Sequence, residues 1–128
     1  MKKILLLFLF SSAWNISFSQ TTTCDLNGLW TDSNSTAFKN GYIIYSQERS
    51  KITFSHYIEF NGNPMVEYGK GKIKGNKVEY KVKISKVIPG WATAGVHSLV
   101  LAPDGKTLRG IYKDSKGNSG PLVFKRVR

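Results

Sequence analysis

Two histidines are the side chains of this 128-residue chain whose ordinary pKa lies near neutrality. His56 falls in Lys51–Phe60, where Ile52, Phe54, His56, Ile58 and Phe60 occupy every second position. A period of two puts all five on one face of a strand. His97 shares a face with Leu99 and Leu101 in the same way. Two inward imidazoles would make a polar spot in an apolar interior, able to orient a ligand's carboxylate or carbonyl. The same spacing also fits two structural histidines satisfied within a core. A two-histidine metal site needs a carboxylate partner, and none is placed by spacing, so neither a metal nor a cofactor is expected.

Trp91 stands in Pro89-Gly90-Trp91-Ala92-Thr93-Ala94-Gly95, the least strand-like internal stretch. A tryptophan on such a loop is either a lid over an opening or a plug against its rim. Lysines supply the other chemistry. Lys70, Lys72, Lys74, Lys77, Lys81, Lys83 and Lys86 crowd two neighbouring segments and their turn. By alternation Lys77, Lys81 and Lys83 share one outer face. With Lys72 and Lys74 they form the candidate anion patch; the competing reading is a solvated face whose lysines block edge pairing. Tyr42, Tyr45, Tyr57 and Tyr68 add aromatic surface suited to stacking sugars or bases.

Catalytic patterns are missing. The chain contains no His-Glu-x-x-His, no Gly-x-Ser-x-Gly and no glycine-rich phosphate loop. Its eight acidic residues are scattered, with no visible pair for acid–base work. The sequence is therefore read as that of a binding protein and not an enzyme.

The first 19 residues read as a signal peptide: Lys2-Lys3, an apolar run from Ile4 to Phe10, and small residues at Ser17 and Ser19 ahead of Gln20. That run is shorter than the roughly 20 apolar residues that span a bilayer, so no transmembrane segment is expected. Residues 20–128 then form one domain, exported to the periplasm or beyond the cell. Cys24 is the single cysteine, which excludes an intrachain disulfide. Thr21-Thr22-Thr23 lacks the apolar residues of a lipoprotein signal, and a half-buried thiol at the first strand is expected. Without Lys2 and Lys3, 17 basic residues face 8 acidic ones, a charge of +9. Such a field favours anionic partners, including peripheral contact with a membrane surface. No nucleic-acid motif accompanies it, and nucleic acid is not an expected partner.

The elements that must position these residues are all short and alternating, separated by Gly, Asn, Asp and Pro. Lys77 to Ile84 is the clearest, with Val78, Tyr80, Val82 and Ile84 on one face. Eight strands are expected, beginning near Leu26, Gly41, Lys51, Met65, Lys77, Val96, Thr107 and Pro121. Their short connections, Gly75-Asn76 among them, imply a meander. Eight meandering strands with one apolar face each close into an antiparallel up-and-down barrel, which removes exposed edges.

Gly28-Leu29-Trp30 at the start and alternating Leu122, Phe124 and Arg126 at the end resemble the lipocalin and calycin barrels. The resemblance implies that Trp30 closes one end of the barrel beneath Arg126 (or Lys125), a cation over a π face. The run from Cys24 to Thr31 also resembles the first strand of the avidin family, in which the loop that follows contacts biotin. That likeness covers about a tenth of the chain and would assign biotin contacts to Asp32 and Ser35.

Two functions follow. In the first, a lipocalin-like barrel holds a small apolar or amphipathic ligand. Ile52, Phe54, Ile58, Tyr80, Val82 and Leu101 line the cavity, His56 and His97 provide polar contacts, and Trp91 stands at the mouth. In the second, the lysine face recruits an acidic macromolecule or protein, as an inhibitor would.

Overall fold

The computed structural model describes residues 24–33 and 38–127. The expected signal peptide, residues 1–19, lies outside the described residues, as does Ser35. Eight strands follow one another: β1 (Gly28–Asp32), β2 (Phe38–Glu48), β3 (Lys51–Phe60), β4 (Asn63–Lys74), β5 (Lys77–Ile84), β6 (Ala94–Leu101), β7 (Thr107–Asp114) and β8 (Ser119–Arg126). Each pairs antiparallel with the next, and β8 returns to β1 through Trp30↔Arg126 and Asp32↔Phe124. The result is a single closed up-and-down barrel.

Strand starts at Lys51, Lys77 and Thr107 coincide with the sequence reading, and the other five lie within three residues of it. The connections explain why the strands reverse where they do. Asn61 and Gly62 both have positive φ, at 49° and 75°. That pairing makes the mirror-image turn whose twist matches a two-residue hairpin, and it joins β3 to β4. Gly75, with φ of 60°, opens the equally short turn into β5.

Alternation along each strand sorts side chains into a buried set and a wet set. Lys51 to Ile58 alternates exposed and buried without interruption, as does β5 from Lys77 to Lys83. A smaller buried cluster of Ile58, Met65 and Ile88 lies at one end of the barrel, and the main buried cluster fills the other end and the middle. Trp30 is fully buried at that end, its indole N–H donating to the Leu26 carbonyl at 3.1 Å. Arg126 lies over its ring. The middle holds Tyr45, Phe54 and Tyr80, with the Phe54 and Tyr80 centroids 4.4 Å apart.

Room for these three rings comes from Gly69 and Gly71, on the inward-facing positions of β4. A Cβ at Gly71 would sit 2.0 Å from the Glu79 carbonyl oxygen, and one at Gly69 1.9 Å from that of Lys81. Large residues on β2, β3 and β5 thus complement absent side chains on β4, which is how a small barrel fills to protein density. Cys24 is a partly buried free thiol packed against this core.

Candidate functional site

Above the aromatic layer the barrel is not filled. A cavity of about 520 Å³ occupies the end away from Trp30 and Arg126. Its apolar wall includes Ile58, Phe60, Val82 and Leu122, and its rim includes Gly90, Ala92, Lys113 and Asn118. The volume lies within the roughly 300–1,000 Å³ of small-molecule sites.

The polar floor of the cavity is built from four strands and one loop. His56 is buried on β3, with Nδ1 3.1 Å from Glu67 Oε2 on β4. Its Nε2 stands 3.4 Å from Asp32 Oδ2 at the end of β1, an ion-pair distance without hydrogen-bond geometry. The Asp32 carboxylate is buried as deeply as the imidazole it faces. Glu67 accepts a second bond, at 2.9 Å from the Trp91 indole N–H. On the neighbouring side, His97 Nδ1 lies 3.1 Å from the Tyr80 hydroxyl, which lies 2.7 Å from that of Tyr45.

These contacts separate the two histidines electrically. Burial alone would push the His56 pKa down, but the Asp32 and Glu67 carboxylates outweigh it and the net direction is up. Glu67 moves the opposite way: burial raises its pKa, and the His56 hydrogen bond and charge, with help from His97 and Trp91, bring it below the usual value. Among the described residues, His97 has no carboxylate in hydrogen-bond contact. Burial drives its pKa down to about 4, with the Glu67 charge opposing and the His56 charge assisting. The cavity floor therefore holds one imidazole whose protonated form two carboxylates favour and, beside it, one that burial keeps neutral at neutral pH.

Of the eight residues proposed as ligand contacts, five line this cavity: His56, Ile58, Val82, Trp91 and His97. Phe54 and Tyr80 do not; they are packed into the aromatic layer beneath it. Ile52 belongs to the same core. Leu101 lies at the far end, lining a second, more open pocket of about 550 Å³ with Cys24, Asn76 and Arg126. Alternation identifies which side chains point inward but not their height along the barrel axis, and height decides which of them meet the cavity. Trp91 is held by its contacts within the cavity. It packs at a tilt against Phe60, ring centroids 4.9 Å apart, and its indole N–H donates to Glu67, so it forms part of the wall.

Sequence reasoning missed Glu67; Asp32, to which the avidin-like resemblance would assign a biotin contact, lines the cavity with its carboxylate facing His56. The signal for Glu67 was present: it falls between Met65 and Gly69 on the inward alternation of β4. Among the described residues no cluster of three His, Cys, Asp or Glu side chains is arranged to hold a metal ion.

The outer wall carries the other candidate site. Lys72, Lys74, Lys77, Lys81 and Lys83 are all exposed on β4 and β5. Cross-strand partners include Lys51↔Lys72, Lys70↔Lys81 and Lys74↔Lys77, with Glu79 opposite Lys72 as the acidic interruption. Tyr42, Tyr57 and Tyr68 are exposed on neighbouring outward positions. Tyr45 is not part of this surface; it is 2 % exposed and belongs to the core, because it sits one register step out of phase with Tyr42.

No protein-family model and no curated protein matches this chain.

Proposed function

We propose that this is an exported, non-catalytic binding protein that holds a small apolar or amphipathic molecule in the open end of its barrel. The cavity carries the reading: a space of about 520 Å³ with apolar walls and a compact polar floor. A closed eight-stranded barrel can equally be filled by its own side chains. Here the aromatic layer stops short, and the remaining interior is lined instead of packed. At coarse level the architecture fits the lipocalin- and avidin-like barrels, with Trp30 and Arg126 in the closing roles that the resemblance implies. The test is native mass spectrometry of protein purified from its own host, with solvent extraction of whatever is bound. A stoichiometric small molecule is expected. An empty protein that takes up nothing from a panel of lipids and biotin would sink this reading.

A second reading rests on the lysines. A closed barrel has no edge strands, and β4 and β5 are each paired on both sides. Edge protection therefore cannot account for their lysines. Three like-charged pairs directly opposite one another cost stability, and none of these lysines is ion-paired to a carboxylate among the described residues. A face retained at that cost suits an acidic macromolecule, and the adjacent tyrosines suit one with sugar rings. Retention of the protein on an acidic polysaccharide, abolished at high salt, is the expected result.

A further inference from the structure

The hydrogen-bond chain beneath the cavity determines what its floor offers a ligand. Tyr45, Tyr80 and His97 are joined in series by two contacts, Tyr45 to Tyr80 and Tyr80 to His97 Nδ1. Three hydrogens must be placed: one on each hydroxyl and one on the imidazole. Both hydroxyls are buried, and among the described residues neither has another partner. If His97 Nδ1 carried the hydrogen, one hydroxyl hydrogen would be left without an acceptor in a dry interior, which is costly. The arrangement that uses both hydroxyl hydrogens has Tyr45 donating to Tyr80 and Tyr80 donating to Nδ1. The imidazole hydrogen then sits on Nε2, the ring atom with no partner among the described residues. His97 lines the cavity. Its floor thus presents a donor in need of an acceptor.

The surrounding charge narrows the acceptor. On the floor His56 contacts a carboxylate on each side, Asp32 and Glu67, while the rim adds one charge of each sign, Lys113 and Asp114. Two carboxylates around one imidazole leave the floor net negative even with His56 protonated. An anionic head group would meet that charge in a low-dielectric setting, where like charges repel strongly. A cationic head group has nothing to accept the His97 hydrogen. Both oxygens of Glu67 are already engaged, by His56 and Trp91.

We infer that the cavity selects an uncharged ligand with an apolar body and a carbonyl-type acceptor, which takes a hydrogen bond from His97 Nε2–H, and that it discriminates against carboxylates. This rests on the cavity reading above and reverses one of its sequence-based expectations, a carboxylate oriented by the histidines.

The test compares two probes that differ only in their head group, octanamide and octanoate, by isothermal titration calorimetry at pH 7.5. Quenching of Trp91 fluorescence reports occupancy of the cavity. Octanamide is expected to bind about tenfold or more tighter. His97→Phe should erase most of that preference, and His97→Gln, which keeps a side-chain N–H, should restore part of it. Long-range ¹⁵N–¹H correlation on the unliganded protein should find the His97 hydrogen on Nε2, a readout that needs no variant. Octanoate binding equally or more tightly with Trp91 quenched would overturn the selectivity and leave the carrier reading intact. Binding of neither probe, with Trp91 unaffected, would overturn both. A hydrogen found on Nδ1 would overturn the inference by itself.

Discussion

The guanidinium carbon of Arg126 lies 4.4 Å from the centroid of the Trp30 ring, joining the last strand to the first at the closed end of the barrel. The two residues are also register partners across β8 and β1. Arg126 donates to the carbonyls of Gly105 at 2.9 Å, Asn27 at 2.7 Å and Asp25. One side chain thereby ties the β6–β7 turn, the segment before β1 and the buried indole together. Its planar fork makes this possible, and an ammonium group cannot reproduce it.

Removing that fork should therefore loosen the seam. Arg126→Ala is expected to cost about 2–3 kcal/mol, combining a cation–π contact with charge-assisted hydrogen bonds. Arg126→Lys should recover only a minor part. Urea unfolding of the three proteins checks this, and a loss below about 0.5 kcal/mol for the alanine variant would mean the seam holds without it.

The middle of the barrel tolerates no added atom on β4. Gly71→Ala would bring a Cβ to 2.0 Å from the Glu79 carbonyl and 2.4 Å from the Tyr80 Cβ. Backbone must move, which is expected to cost about 3 kcal/mol or more. Gly62→Ala, at a turn with open space but positive φ, should cost nearer 1 kcal/mol. Thermal unfolding separates the two, and equal losses would contradict the packing argument.

Those glycines mark the boundary of what could be read in advance. The closed barrel was legible, since alternation, turn residues and short connections all point one way, and Trp30 and Arg126 were legible as its seam. Inward direction was legible too for His56 and His97. What alternation cannot express is depth along the axis. Phe54, Tyr80 and Leu101 face inward like Ile58 and Val82, but the first two fill the aromatic layer and Leu101 the far end. Glu67 was hidden for a related reason: a carboxylate on an apolar face gains sense only beside His56, directly opposite it on β3. Asp32 sits at a strand end, where the avidin-like loop gave it a different meaning.

The acid–imidazole–acid arrangement predicts a coupled loss. Glu67→Gln removes one of the two charges that raise the His56 pKa, so that pKa should fall, as followed by NMR titration of its ring protons. Stability should drop by about 3 kcal/mol, the scale for breaking a buried pair from one side. An unchanged His56 titration would show that Glu67 does not set its charge.

The two histidines also give opposite pH dependences. His97 titrates near 6.5 when unfolded and at about 4 in the barrel, where it faces Tyr80, Glu67, His56 and Asp32. Between these values the unfolded chain takes up a proton that the folded protein refuses. This component of stability therefore falls as pH drops from 6.5 to 4, by about 3 kcal/mol at most. His56, with a raised pKa, contributes fully below 6.5 and loses that contribution as pH rises through its folded value. Glu67, with a lowered pKa, contributes above its unfolded value of 4.5 and loses this only as pH falls through its folded value. Stability should accordingly peak near pH 6.5, and His97→Phe should flatten the acid side while leaving the alkaline side. Urea midpoints from pH 4 to 9 test this, and an unaltered acid limb in the variant would show that His97 is not its source.

On the outer wall, stability and binding should separate. Lys70 and Lys81 are directly opposite on β4 and β5 and repel. Lys70→Glu converts that repulsion into an attractive cross-strand pair and should stabilise the barrel by about 0.5–1 kcal/mol. If the face serves only solubility, nothing else changes. If it recruits an acidic polymer, the same substitution should lower the salt concentration that elutes the protein from heparin–agarose, and Lys81→Glu should do likewise. Gln in place of either lysine should give an intermediate elution, because it removes one positive charge without adding a negative one. A substitution that raises stability while weakening retention would identify these lysines as kept for a partner at the expense of the fold. Elution that ignores all of these changes would return the face to an ordinary solvated surface.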